Sequence, residues 1–241
     1  MAVLKMELFE DLKRVLLGQG AALVGAGSLM ELPREAREDL PRAVSIGVAY
    51  EPDIIKGIVK GPTAAYYEAY KNVNRKLDVL SEIAADLLAA RGFRAVRLIS
   101  TDAGIDAATL STKLPHKTAA TRAGLGWIGK CALLVTPQYG SALRLTTVLT
   151  DAPLPEEVPE DVSRCADCTA CVEACPGGAP SGAEWHAGLP RESFFDAHLC
   201  RRTARATAKA CAGIEDSICG ICIAACPYTC KYVGKLLSTG G

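Results

Sequence analysis

The chain has no surplus of charge of either sign: 27 Lys and Arg stand against 27 Asp and Glu in 241 residues. No basic run is long enough to form the footprint of a nucleic-acid-binding surface, and Arg201, Arg202, Arg205 and Lys209 form only a short cluster at helical spacing, which reads as a solvated face. Long hydrophobic runs are missing too. No stretch of 18 uncharged apolar residues occurs, and the first eleven residues carry Glu7, Glu10 and Asp11 where a signal peptide would hold its apolar segment. These absences exclude a membrane-spanning helix and predict a cytoplasmic protein with no membrane partner. Apolar residues make up 49% of the chain, which excludes a disordered polymer. At this length a core can form without disulfides.

Cysteine is abundant and unevenly placed. Ten of the 11 cysteines lie from Cys165 onward, and in a reducing compartment such a cluster holds metal more often than disulfides. Charge divides mildly along the same line, with 19 basic and 15 acidic side chains up to residue 150 and 8 basic and 12 acidic beyond it.

Up to residue 150 the pattern alternates between helix and strand. Leu8, Leu12, Val15 and Leu16 predict a helix over 7–17 that stops at Gly18 and Gly20; residues 43–50 and 95–100 read as strands, and 63–90 as a long helix or two with Tyr66, Tyr70, Val73, Leu77 and Leu80 on one stripe. The apolar runs 131–136 and 143–150, separated by Pro137-Gln138-Tyr139-Gly140, read as a hairpin. Val24-Gly25-Ala26-Gly27 is not a dinucleotide-binding turn, since Met30 stands where a third glycine belongs. Residues 151–160 contain Pro153, Pro155 and Pro159 among four acids, which is linker chemistry. The expected organisation is an α/β (α+β) domain over 1–152 that carries a cofactor or substrate, and a cysteine-organised domain over 161–241.

Cys165, Cys168, Cys171 and Cys175-Pro176 follow the spacing C-x2-C-x2-C-x3-C-P, in which three thiolates hold one [4Fe-4S] cube and the fourth reaches a neighbouring cube. Cys219, Cys222 and Cys226-Pro227 repeat the end of that code, with Asp216 where the first cysteine would stand. If the two motifs exchange their last ligands, Cys165, Cys168, Cys171 and Cys226 hold the first cube. Cys175, Cys219 and Cys222 then begin the second, which needs a fourth thiolate from Cys200 or Cys211. Two adjacent cubes form a path for single electrons.

The run Gly124-Leu125-Gly126-Trp127-Ile128-Gly129-Lys130, the apolar strand after it, Tyr139-Gly140, Leu149-Thr150-Asp151, the cysteine arrangement and Asp196-Ala197-His198-Leu199-Cys200-Arg201 closely resemble the epoxyqueuosine reductase family over about residues 120–230. Corrinoid reductive dehalogenases look like a more distant branch of the same architecture. The resemblance implies a nitroreductase-like N-terminal domain followed by a ferredoxin-like domain with two [4Fe-4S] clusters. It implies cobalamin as a cofactor, with FMN as the alternative on the same fold, and an oxidoreductase that passes electrons through the clusters to a corrinoid and on to a substrate.

It also favours Cys200 as the eighth ligand. By the same resemblance Gly126, Trp127, Gly129 and Lys130 fall in the cofactor-binding loop, Trp127 to stack on a flat macrocycle and Lys130 to meet an anionic group. The family's proton-donating aspartate falls on Leu110, so Asp106 or Asp102, or His116 just before the glycine loop, is the expected proton donor. The expected partners are a low-potential donor of ferredoxin or flavodoxin type and a small molecule or corrinoid protein. Only 15 residues follow Cys226, too few for the family's tRNA-binding repeats, so tRNA is expected to be an unlikely partner. The rival reading is a ferredoxin-type relay, or a reductive activator of a corrinoid partner, without chemistry of its own.

Overall fold

The computed structural model describes residues 2–99 and 104–235. In chain order the elements are α1 (Ala2–Gly18), β1 (Leu23–Ser28), β2 (Arg42–Ala49), α2 (Pro52–Lys56), α3 (Ala64–Ala89), β3 (Ala95–Leu98), α4 (His116–Arg122), β4 (Trp127–Ile128), β5 (Leu134–Val135), β6 (Leu143–Thr150), α5 (Ala170–Glu173), α6 (Ala197–Ala212), α7 (Ile221–Ala225) and α8 (Pro227–Lys235). The chain divides into two compact units. The first comprises Met1–Ala49, Val73–Leu125 and Arg144–Glu160, and the second Tyr50–Asn72, Gly126–Leu143 and Asp161–Gly241.

The first unit is built on a four-stranded sheet of order β1-β2-β6-β3, antiparallel between β1 and β2 and between β3 and β6. Side chains of a strand alternate between its faces. Val44, Ile46 and Val48 of β2, with Val148 of β6, therefore meet Leu8, Phe9, Leu12 and Leu16 of α1 and Leu77, Leu80, Ala84 and Leu88 of α3. Ala43 and Leu149 belong to the opposite face, which packs Leu29, Leu40, Leu114 and Ala119 of α4. The sheet is thus covered on both sides, as a strand with six consecutive buried residues requires. Helix α1 ends as its glycines predict: Gly20 takes φ +88° while the N–H of Ala21 turns back to the Leu16 carbonyl.

Gly25 and Gly27 lie inside β1, where a Cβ at Gly27 would come within 2.3 Å of the Arg122 carbonyl oxygen and one at Gly25 within 2.9 Å of that of Ala123. They are glycines because the end of α4 lies directly on the strand. Arg122 itself is buried, and its guanidinium bonds Glu31 and the Glu160 carbonyl.

The expected hairpin of 131–136 with 143–150 is not formed. β5 pairs with β4, Trp127 opposite Val135 and Ile128 opposite Leu134, whereas β6 pairs with β2 and β3 in the other sheet. A tight turn at 129–133 joins β4 to β5, where the N–H of Gly129 bonds the Leu133 carbonyl and that of Ala132 bonds the Gly129 carbonyl.

In the second unit β4 sends its two side chains to opposite sides. Ile128 packs with Ala132, Trp185 and Phe194, and Trp127 packs with Val135 and Cys226, against Cys165 and Tyr228. All 11 cysteines, all 7 tyrosines and both tryptophans fall within this unit. Among the described residues no helix is long and apolar enough to cross a membrane.

Candidate metal centre

Every cysteine is a free thiol. Cys165 and Cys168 flank a sharp turn, in which Ala166 takes φ +47° and the N–H of Cys168 bonds the Cys165 carbonyl. Cys171 rides on α5, and Cys175 follows that helix and accepts a bond from the N–H of Ala179 at 3.4 Å. Cys200 occupies the first turn of α6, whose N-terminus is capped by Asp196: its carboxylate accepts the N–H of Leu199 at 2.8 Å. Cys222 lies on α7, which begins at Gly220 with φ +87°; a Cβ there would meet Ile58 at 2.6 Å and Tyr66 at 3.1 Å. Cys226 immediately precedes α8.

The thiols are grouped across the two motifs. Cys226, from the end of the second motif, is close enough to Cys165 to feel its charge, and Cys200 feels those of Cys175 and Cys219. Burial, the neighbouring charges of Cys175 and Cys219 and that of Asp196 push the Cys200 thiol up to about 11. Burial likewise raises Cys226 and Cys219, but the N–H groups of Tyr228 and Thr229 at the start of α8 favour the thiolate of Cys226, and that of Ile221 favours Cys219. The hydrogen bond to Cys131, then burial, raises Cys171, while the nearby Lys130 ammonium opposes the rise. Metal cations relieve this combination of buried, mutually repelling thiolates with N–H donors already in place.

Among the described residues no three His, Cys, Asp or Glu side chains converge as they would around a single metal ion. A cube places each thiolate on its own iron corner and spreads its ligands wider. Two further observations test the fit. The indole Nε1 of Trp127 is a buried donor with no hydrogen-bond partner, and its side chain packs against Cys226 and Cys165. An acceptor such as a cluster sulfur satisfies such a group. Gly129 provides room beside the thiols: a Cβ there would lie 3.5 Å from Cys165 Sγ and 3.7 Å from Cys131 Sγ, after striking Val135 at 2.8 Å. These residues fit iron-sulfur clusters.

The other expected site residues are placed as follows. Lys130 is buried, and its ammonium donates to the Ala166 carbonyl at 2.6 Å, tying the glycine loop to the Cys165–Cys168 turn. Trp127 is 1% exposed, with Tyr228 edge-on at 5.0 Å and the Arg164 guanidinium over its ring at 5.4 Å. Both side chains are committed within the unit and give no support to a macrocycle contact. Gly126 lies against β5, where a Cβ would come within 2.2 Å of the Val135 oxygen.

Asp106 and His116 belong to the first unit. The Thr109 hydroxyl and N–H, at 2.8 and 2.7 Å, hold the Asp106 carboxyl below its ordinary range, which suits a turn-forming carboxylate better than a proton donor. His116 heads α4 with one ring nitrogen on the Thr147 hydroxyl at 2.9 Å and the other on the Ile99 carbonyl at 3.1 Å. Asp102 lies outside the described residues. Of the contested pair, Cys200 feels the charges of Cys175 and Cys219, whereas Cys211, exposed at the far end of α6 near the Lys60 carbonyl and Gly61, also bears on Cys219. Asp216, in the gap of the second motif, accepts a bond from the Tyr67 hydroxyl.

Sequence reasoning counts Cys131 among the spare cysteines, which are most often plain buried residues; in the structure it is buried, and the Cys171 and Cys222 thiols act on it as hydrogen-bonding neighbours. The bond with Cys171 favours its thiolate, but the bond with Cys222 and burial outweigh it and hold the thiol well above the ordinary value. Its position in the glycine loop is the one available signal.

No protein-family model matches the chain. An epoxyqueuosine reductase from Lactococcus garvieae is 31% identical over 147 residues, which cover 57% of this chain and 38% of the relative. A reductive dehalogenase, whose structure is described as suggesting a mechanism for B12-dependent dehalogenation, superposes with a TM-score of 0.70 at 17% identity, over 90% of this chain and 31% of its own. An epoxyqueuosine reductase solved with an epoxyqueuosine-modified tRNA stem loop superposes with a TM-score of 0.60 at 19% identity, over 92% of this chain and 65% of its own.

The fold, mixed helix and sheet, is thus one shared with a reductive dehalogenase and an epoxyqueuosine reductase. By sequence the chain is a relative of the epoxyqueuosine reductases, spanning less than half the length of the curated relative. One expectation is overturned. The reductases to which the chain is related include one determined with a tRNA stem loop, so the expectation that tRNA is an unlikely partner does not stand.

Proposed function

We propose that the chain is an iron-sulfur oxidoreductase that carries two [4Fe-4S] clusters in its second unit and passes electrons from a low-potential donor to a corrinoid in a reducing, cytoplasmic setting. The first cluster is held by Cys165, Cys168, Cys171 and Cys226, and the second by Cys175, Cys200, Cys219 and Cys222. The observation that carries this reading is the crossed grouping of thiols, Cys226 with Cys165 and Cys175 with Cys200 and Cys219. Two ferredoxin motifs that exchange their last ligands require that grouping, and a pair of self-contained zinc sites does not.

The residues around the thiols have defined roles. Lys130 fixes the first ligand turn through the Ala166 carbonyl and sets a positive charge near Cys171. The first turn of α8 steadies Cys226, and Trp127, whose buried indole N–H has no partner, packs against Cys165 and Cys226. A bound corrinoid supplies a low-valent metal nucleophile, and the fold shared with a B12-dependent dehalogenase supports that cofactor. The relatives' names make an epoxyqueuosine-bearing tRNA stem loop the first substrate to test.

Anaerobically reconstituted protein is expected to hold about eight iron atoms per chain. Its cobalamin, incubated with a low-potential reductant, is expected to show the reduced-corrinoid spectrum only in the presence of the clusters. A content of about four irons refutes the two-cluster reading, and failure to bind cobalamin or FMN leaves a relay without chemistry of its own.

A further inference from the structure

Trp127 is 1% exposed, and its indole Nε1 is a buried donor with no hydrogen-bond partner among the described residues. An indole N–H can only donate, and burying it unpaired leaves its desolvation uncompensated. The Arg164 guanidinium over its ring, at 5.4 Å, is itself a donor without an acceptor. Tyr228 stands edge-on at 5.0 Å without bonding it, and Val135 is apolar. The other residues packed in this cluster, Cys226 and Cys165, are thiols.

Principles of chain geometry place the ring beside those two thiols. Arg164 directly precedes Cys165, and Tyr228 follows Cys226 by two residues, so the side chains flanking the ring are close neighbours of both cysteines along the chain. The loop after Trp127 runs along the same turn. A Cβ on Gly129 would lie 3.5 Å from Cys165 Sγ, and the Lys130 ammonium bonds the carbonyl of Ala166, the residue after Cys165, at 2.6 Å. On the proposed assignment Cys165 and Cys226 both belong to the first cluster.

We infer that the Trp127 indole N–H donates a hydrogen bond to a sulfur of the first cluster, either a ligand thiolate or a sulfide, and raises that cluster's reduction potential. The inference rests on the two-cluster reading. Reduction adds an electron to a cluster that is already anionic, so an N–H on its sulfur stabilises the reduced form more than the oxidised form. Burial keeps competing water from the donor. The electron comes from the external reductant, and no bond to iron is made or broken.

The test compares wild-type protein with Trp127→Phe, which keeps an aromatic ring in the core but lacks the N–H, and with Trp185→Phe as control. Iron content and an anaerobic redox titration followed by electron paramagnetic resonance are measured on each, and Cys200→Ala, expected to retain only the first cluster, identifies its midpoint. Both phenylalanine variants are expected to keep the wild-type iron content. Trp127→Phe is expected to shift the first cluster's midpoint negative, by about tenfold in the ratio of reduced to oxidised cluster at fixed potential, which is about 59 mV for a one-electron centre. The second midpoint, and both midpoints in Trp185→Phe, are expected to stay in place. Pulsed electron paramagnetic resonance of reduced Cys200→Ala protein labelled with nitrogen-15 at its indoles is expected to show coupling of the cluster spin to that nitrogen. An unchanged first midpoint in Trp127→Phe overturns the inference, and so does an equal shift in Trp185→Phe. If Trp127→Phe fails to hold its iron, the labelled protein decides, and absence of the nitrogen coupling overturns the inference. Wild-type protein with only about four irons defeats the underlying two-cluster reading before any titration is made.

Discussion

Gly126→Ala tests how closely the glycine loop is built against its partner strand. The added Cβ would lie 2.2 Å from the Val135 oxygen, 3.0 Å from the Val135 carbonyl carbon and 3.1 Å from the Cα of Thr136. Carbon and oxygen normally approach no closer than about 3.3 Å, so the strands must part by about 1 Å. The obstacle is backbone, and no side chain can rotate away.

The β4–β5 ladder has only two residue pairs, and Trp127, in the first of them, packs against Cys226 and Cys165. Overpacking costs about 1–3 kcal/mol and each lost backbone hydrogen bond about 0.5–1.5 kcal/mol, so a total of about 2–4 kcal/mol follows. The assay is denaturant unfolding of anaerobic, cluster-loaded protein followed by tryptophan fluorescence, which reports the second unit because both tryptophans lie in it. Gly234→Ala is the control: a Cβ added there, in α8, would meet no heavy atom within 4 Å, and the substitution is expected to stabilise by about 0.5–1 kcal/mol. Unfolding of Gly126→Ala within about 0.5 kcal/mol of wild type would refute the reasoning.

Three further outcomes are expected. Cys200→Ala should lower the iron content from about eight to about four while Cys211→Ala leaves it intact, and the reverse result in anaerobic iron analysis overturns the choice of eighth ligand. Asp196→Ala removes the cap of α6 and is expected to cost about 1 kcal/mol, with Asp196→Asn close to wild type; equal denaturation midpoints for all three would show that the Leu199 bond contributes nothing. Asp106 is held below its ordinary value by the Thr109 hydroxyl and by the N–H groups of Thr109 and Ala108, so its contribution to stability is present above the ordinary carboxylate value of 3.8 and is lost as the pH falls through its lowered one. Wild type and Asp106→Ala should therefore differ at neutral pH and converge in acid. A difference that widens toward low pH would sink that assignment.

Much of the scaffold is legible because it is written locally. The helix read over 63–90 is α3 (Ala64–Ala89), and the strand read over 43–50 is β2 (Arg42–Ala49), since each repeats its apolar residues at the period of its own geometry. The expected hairpin fails for the same reason. Two apolar runs with a turn between them look alike whether they pair with each other or, as here, with β4 on one side and with β2 and β3 on the other. The glycines of β1 carry a signal without a meaning. Their spacing excludes a dinucleotide turn, but only the position of α4 explains why Gly25 and Gly27 carry no side chain.

The cysteine code is the part that the sequence determined by itself. Wrapping three thiolates of one short loop around a cube demands fixed intervals along the chain, so the proposed cluster reading of Cys165, Cys168, Cys171 and Cys175 needs no fold to suggest it. The tertiary structure decided what surrounds them. It joins segments 50–72 and 126–143 to the cysteine-bearing part of the chain, brings Cys200 within reach of the charges of Cys175 and Cys219, and turns Lys130 onto the Ala166 carbonyl in the turn between Cys165 and Cys168. Contacts between residues 40 or 90 positions apart leave no periodic trace, because they depend on how separate elements pack and not on the geometry of any one of them.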